Sequence, residues 1–324
     1  MAEWLVEEGI GEQRAIRIEG GEIAAARLHW PGSLTAGQVE DARLVSRNAG
    51  SPRGTARFAS GEEALVDGLP REAAEGALLR LRVTRGAIGE AGRTKLAQAR
   101  PSTDAPRPAP TLAEALVLDG HDVRAVHRFP VTGWDELMAE AFAREIAFNC
   151  GSLLLAPTPA MTLIDVDGTL PPVRLALAAI PTLAAALRRF DIGGSVGIDF
   201  PTLFDKADRR AVDEALSDAL GGWPHERTAM NGFGFVQLVA RLERPSILHL
   251  ASRRRASAAA RLLLRRAEAV ADPGAILLTC HPALKAKLRE EWLAELARRT
   301  GRAIRIETDP ALALEAGFAQ SVAS

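Results

Sequence analysis

The chain has 324 residues, 47% of them hydrophobic and 25% charged, a balance that excludes a disordered or fibrous chain and sets an expectation of two or three folded units. Its 40 basic residues offset 41 acidic ones to a net charge of −1, so no whole-molecule positive field announces a nucleic-acid partner. Two cysteines exclude a disulfide framework and a four-cysteine zinc site. The acidic start, where an export signal would be basic and then apolar, sets the cytoplasm as the expected compartment. No membrane span is expected, because the most apolar stretch, 175–187, carries Pro181 and falls short of the ~20 residues that cross a bilayer.

Residues 4–6, 14–18 and 23–28 read as strands, with Gly20-Gly21 as a hairpin turn between the last two. Runs at 54–58, 63–66 and 79–83 continue the pattern at the density of a small barrel or sandwich. Residues 100–110 hold four prolines and almost nothing to bury, which predicts a linker or surface crossover. Beyond it the spacing predicts a helix over 133–147 and strands at 152–155 and 161–167. A helix at 173–190, a strand at 195–200, a helix at 206–219 and a strand at 233–242 follow. Helices at 255–271 and 283–299 flank a strand at 275–279, and a late strand covers 302–307. Strands and helices alternate from about residue 150, so an α/β layer is expected within a mixed α+β chain.

The strand ending in Ile164-Asp165-Val166-Asp167 turns Asp165 and Asp167 to one face and the two apolar residues to the other. Asp199 ends the next predicted strand 34 residues after Asp165, the spacing of a strand–helix–strand crossover, which predicts two parallel, adjacent strands. Carboxylates at the carboxyl ends of such strands lie where open α/β sheets bind ligands. They repel one another unless a cation sits between them, and a hard divalent ion is the usual one. Mg²⁺ is expected, with Mn²⁺ as the alternative. The competing reading for Asp165 alone is a strand-end residue that caps a turn with Gly168.

Three motifs resemble the catalytic core of the ribonuclease E/G family of bacterial endoribonucleases. They are Thr158-Pro-Ala-Met-Thr-Leu-Ile-Asp165-Val-Asp167-Gly168, then Leu187-Arg-Arg-Phe-Asp-Ile-Gly-Gly-Ser-Val-Gly-Ile-Asp199-Phe200, then Phe233-Gly-Phe-Val-Gln-Leu238 followed by Arg241, Arg244, Pro245 and Ser246. The resemblance covers about residues 150–250. It implies a Mg²⁺-dependent endoribonuclease that cleaves single-stranded RNA, with the metal on Asp165 and Asp199 and with Asp167 assisting. It also implies a ribonuclease-H-like and deoxyribonuclease-I-like core over 112–250, with 1–36 as the first part of the ribonuclease-H-like subdomain. A shortened OB-like RNA-binding insert would span 37–98, a linker 99–111, and a small C-terminal α/β domain 251–324.

The departures from the family matter. Asp167 stands where the family has Asn, and Thr202 where it has a second Asp of the metal motif. The segment that senses the RNA 5′ end has no counterpart, and Leu250-Ala-Ser-Arg-Arg-Arg255 replaces the zinc-linking cysteines, so neither zinc nor a zinc-linked tetramer is expected. Residues 241–270 carry eight Arg against Glu243 and Glu268. Arg241, Arg244, Arg253, Arg254 and Arg255 are therefore candidate phosphate contacts, against the alternative of a solvated helix face at Arg261, Arg265 and Arg266. Arg57 and Phe58 are candidates to neutralise and stack on RNA, although a lone Phe on a barrel strand is more often core. A non-catalytic RNA-binding relative is the principal rival reading, and a protein-scaffolding module the third.

Overall fold

A computed structural model describes residues 3–90 and 92–323. Strands β1 (Trp4–Gly9), β2 (Glu12–Glu19) and β3 (Glu22–His29) form an antiparallel meander. Gly20 and Gly21 both take positive φ, 60° and 86°, as the predicted two-residue turn requires, a backbone conformation that strains residues carrying a Cβ.

A closed five-stranded barrel follows: β4 (Val39–Arg47), β5 (Arg53–Arg57), β6 (Glu63–Asp67), β7 (Leu78–Arg85) and, after a two-stranded ribbon of β8 (Ile88–Gly89) and β9 (Thr94–Lys95), β10 (Ala97–Pro101). Its order is β10-β6-β5-β4-β7, with β6 and β10 parallel. The inward positions are filled by small and medium residues, among them Ala42, Leu44, Ala56, Phe58, Ala64, Val66, Leu81 and Val83, which suits a narrow interior. The proline-rich stretch is a crossover fastened to this barrel. Val39 and Arg107 exchange backbone hydrogen bonds of 3.0 and 2.9 Å, and Arg107 Nε donates to the Gly37 carbonyl at 2.7 Å.

Helix α1 (Leu112–Leu118), opened by a Thr111–Glu114 capping box, leads into β11 (Val123–Val126), which pairs parallel with β1 and completes a sheet of order β11-β1-β2-β3. Helix α2 (Trp134–Ala143) stops short of its predicted end because Arg144 turns left-handed at φ 60°. Residues predicted as the last turn become the edge strand β12 (Glu145–Phe148), whose only buried side chain, Ile146, is held by pairing with the next strand. Strands β13 (Gly151–Pro157) and β14 (Thr162–Gly168), helix α3 (Pro172–Arg189), β15 (Gly194–Asp199), helix α4 (Lys206–Ala219), β16 (His225–Arg227) and β17 (Phe235–Ala240) build a six-stranded sheet of order β12-β13-β14-β15-β17-β16. Only β14 and β15 pair in parallel, across the α3 crossover, as their spacing predicts.

The long helix predicted over 255–271 is preceded by an extra helix: Ser246 caps α5 (Ile247–Arg253), Arg254 breaks the helical backbone, and α6 (Arg255–Glu268) follows. Strand β18 (Ala275–Cys280), α7 (Pro282–Lys285), α8 (Glu290–Thr300), β19 (Ile304–Thr308) and β20 (Phe318–Val322) close the chain, with the three strands in the order β19-β18-β20. The predicted helix over 283–299 is therefore two helices. Among the described residues no helix is long and apolar enough to cross a membrane.

One apolar core joins the first sheet, the six-stranded sheet and the C-terminal strands, and the barrel keeps its own. A buried ion cluster pins the meander to α6. Glu7, 4% exposed, accepts from Arg14 at 2.6 Å, from Arg265 at 3.1 Å and from the Phe129 backbone N–H at 3.1 Å, while Arg14 also reaches Glu12 at 2.6 Å.

Candidate functional site

The helices cover one face of the six-stranded sheet, where Leu153, Leu155, Ile164, Val166, Val196 and Ile198 are buried. The opposite face is open: Leu154, Leu163, Asp165, Asp167, Asp199 and Val239 are exposed. Alternation along β14 thus puts Asp165 and Asp167 on the open face. In the β14–β15 register Asp165 stands directly opposite Asp199, at the ~5 Å spacing of neighbouring strands.

Burial raises the Asp165 carboxyl above its ordinary range, and the charges of Asp199 and then Asp167 raise it further, outweighing the Val166 backbone N–H that opposes them. Asp167 is partly engaged already, since its Oδ1 accepts from the Gly168 N–H at 2.8 Å. The turn-capping role considered for a strand-end Asp therefore falls to Asp167. Among the described residues no group of three or more His, Cys, Asp or Glu is arranged to hold an ion. Asp165 and Asp199 are the pair that could share a hydrated divalent ion, for which two carboxylates and waters suffice. Thr202, where the resembling family has an Asp, is exposed on the loop after β15 and adds no carboxylate.

This geometry gives a thermal-shift prediction. A carboxyl whose folded-state pKa is raised favours folding below its unfolded pKa and loses that contribution as pH rises through the folded value. At neutral pH in EDTA, Asp165→Asn is expected to melt higher than the wild type. Added Mg²⁺ should raise the wild-type melting temperature by mass action and leave the variant unmoved, with the wild-type response fading as acid protonates Asp165. Equal Mg²⁺ responses in the two proteins would exclude Asp165 as a ligand.

The loop before β17 holds the carboxyl end of β15 in place. Phe200 N donates to the Gly234 carbonyl at 3.2 Å, and Gly234 has φ +88° with the Phe200 carbonyl only 2.5 Å from where a Cβ would stand. Gly234→Ala is expected to cost about 1–3 kcal/mol. Gly232→Ala, which meets open space, should fall within about 0.5 kcal/mol of wild type in the same urea melts.

The candidate RNA contacts divide. Phe58, 3% exposed, lies in the barrel core, so the structure overturns its assignment as a stacking residue: no ring face is free for a base. Arg57 is exposed and paired with Glu63 at 2.7 Å. Arg244 is tied to Asp191 and Glu243, both at 3.2 Å, and their charges hold its guanidinium above its usual value against the cost of burial. Arg255 reaches Glu315 at 2.5 Å and the Phe142 carbonyl at 2.8 Å. Arg244 and Arg255 thus have their guanidinium groups engaged with partners inside the fold.

The solvated-face reading of the later arginines fails as well. Arg265 and Arg266 bind Glu7 and Asp135, and Arg261 is buried between Trp30 and Trp292 at 4.0 and 4.5 Å, with burial lowering its pKa to about 10. The local excess of positive charge is thus largely spent inside the fold.

Arg241, Arg253 and Arg254 remain exposed. With Arg82 and Arg107 they line a cavity of about 500 Å³ between the barrel and α5. It lies away from the carboxylates: Ala240 pairs with Gly194, five strand residues or ~17 Å from the Asp199 end of β15.

Sequence reasoning did not bring out the exposure of Phe204 and Phe233, 91% and 80%, on the two adjoining loops at the Asp199 strand end. The Asn231-Gly-Phe-Gly234 run is turn chemistry, and it was the available signal that Phe233 lies outside a strand. No family model matches the chain.

Proposed function

We propose that this protein is a Mg²⁺-dependent endoribonuclease acting on single-stranded RNA. One observation carries the reading: Asp165 and Asp199 stand side by side on the open face of the sheet, in mutual repulsion that a divalent cation relieves. Three further features support it. The motif trio resembles the ribonuclease E/G core. The barrel order, with its parallel β6–β10 pair, suits an OB-like insert. The β3-β2-β1-β11 order with parallel β1 and β11 suits a ribonuclease-H-like half.

In this mechanism Asp165 and Asp199 would hold the ion, which would supply Lewis acidity to a phosphoryl oxygen and lower the pKa of a bound water. Asp167, its Oδ1 held by the Gly168 N–H, would assist as a polar neighbour of that ion, in the place where the resembling family has Asn. Arg241, Arg253 and Arg254 contact the RNA backbone farther along.

The test is incubation of purified protein with end-labelled single-stranded RNA in Mg²⁺ and in EDTA. Cleavage confined to Mg²⁺ is the expected result. Salt-sensitive binding with no cleavage in either condition would replace the enzyme with a non-catalytic RNA-binding relative.

A further inference from the structure

Phe204 and Phe233 are the two most exposed large hydrophobic side chains among the described residues. Leaving a ring in water forgoes the favourable burial that drives folding, so nothing in the fold accounts for both rings standing out. The backbone of both loops is pinned. Asn231 Oδ1 accepts from the N–H groups of Phe233 at 2.9 Å and Phe235 at 3.1 Å, and Gly234, next in the chain, accepts from Phe200. On the other loop, Arg209 donates to the carbonyls of Leu203 at 2.6 Å and Phe204 at 2.8 Å, while the Leu203 side chain is buried. Phe200 immediately follows Asp199, so one ring stands on each loop beside the carboxylate end of β15.

We propose that Phe204 and Phe233 are stacking platforms for two unpaired bases of the single strand whose phosphate is placed at Asp165 and Asp199. The inference rests on the reading of the site as acting on RNA. A loop whose backbone is already ordered loses little entropy when a base stacks on its ring, and stacking tolerates any base because every base has a π face.

Charge argues against a protein as the occupant. A second copy laid over both rings by two-fold symmetry would bring the same carboxylate patch of Asp165, Asp167 and Asp199 against its counterpart, removing like charges from water without a cation between them. A single strand instead offers flat apolar bases to the rings, with its phosphate left for the ion.

The test measures binding of a fluorescent single-stranded RNA by full-length protein in Ca²⁺, an oxygen-liganded divalent ion that can stand between the carboxylates and the phosphate, scored on uncleaved RNA, alongside cleavage in Mg²⁺. Phe204→Ala and Phe233→Ala are each expected to weaken binding about 5- to 100-fold. Trp at either position should preserve binding, and Leu should not, since Leu keeps the apolar surface without the π face. An oligonucleotide with abasic sites around the target phosphate should bind wild type and the Ala variants equally weakly. Because both side chains are exposed, thermal melts of the variants should match wild type.

RNA binding unchanged in both Ala variants, with Mg²⁺-dependent cleavage intact, would overturn the platforms and leave the endoribonuclease reading standing. Base-dependent loss of binding in a protein that never cleaves would uphold the platforms and remove the catalytic reading. Self-association broken by Phe233→Ala, with no effect on RNA, would make a second copy the occupant and end the proposal. No RNA binding by the wild type would end both.

Discussion

Replacing Asp165 or Asp199 by Asn is expected to lower Mg²⁺-dependent cleavage of single-stranded RNA by about three orders of magnitude. Each change preserves side-chain size and leaves the paired register of β14 and β15 intact. It removes one of two anionic ligands, and with it several kcal/mol of transition-state charge stabilisation at ~1.4 kcal/mol per tenfold in rate. Single-turnover rates on a labelled oligonucleotide measure the effect, and RNA affinity in EDTA should stay within a few-fold. Asp167→Asn is the informative contrast, because it installs the residue of the resembling family and removes a like charge beside Asp165. Its cleavage should equal or exceed that of the wild type. A rate for Asp165→Asn within a few-fold of wild type would remove the two-carboxylate site.

The second large effect concerns stability. Glu7→Ala would leave Arg14, which is 1% exposed, with Glu12 alone, and Arg265 with only the more distant Asp135. Breaking a buried pair from one side costs about 3–5 kcal/mol, because the remaining charge stays desolvated. The urea midpoint at neutral pH should fall accordingly, with Glu7→Gln milder since its amide oxygen still accepts a hydrogen bond. Burial raises the Glu7 carboxyl, but Arg14, Arg265 and the Phe129 N–H together outweigh it and hold it below its ordinary value. The stability it contributes is therefore present above its unfolded pKa and is lost as pH falls through the depressed folded value. Wild type should lose more stability than Glu7→Gln over that acidic interval. Parallel pH curves for the two would remove the cluster's role.

The part of the site that could be read from the sequence is the part set by local periodicity. A period of two along 162–167 is enough to put Asp165 and Asp167 on one face, and a crossover of ordinary length is enough to bring Asp199 alongside. The Gly20-Gly21 turn is legible for the same reason, because only its own backbone angles matter. The end of α2 was less legible. Glu145–Phe148 carries helical spacing, and its strand state depends on a partner, Gly151–Leu154, that helical periodicity does not report.

The arginines show where sequence reading stops. Counted along the chain, residues 241–270 are strongly basic; in space their partners are Asp191, Glu315, Glu7 and Asp135, from 53 to 258 positions away. No window along the chain contains both halves of such pairs, so the sequence by itself determined the net charge, the strand and helix alternation and the carboxylate pairing. Tertiary structure decided which charges face water. It neutralised most of the basic run inside the fold, buried Phe58 in the barrel and left Phe204 and Phe233 standing beside Asp199. The physical reason is that exposure and ion pairing depend on packing between distant segments, whereas the face a strand residue occupies depends on its own backbone.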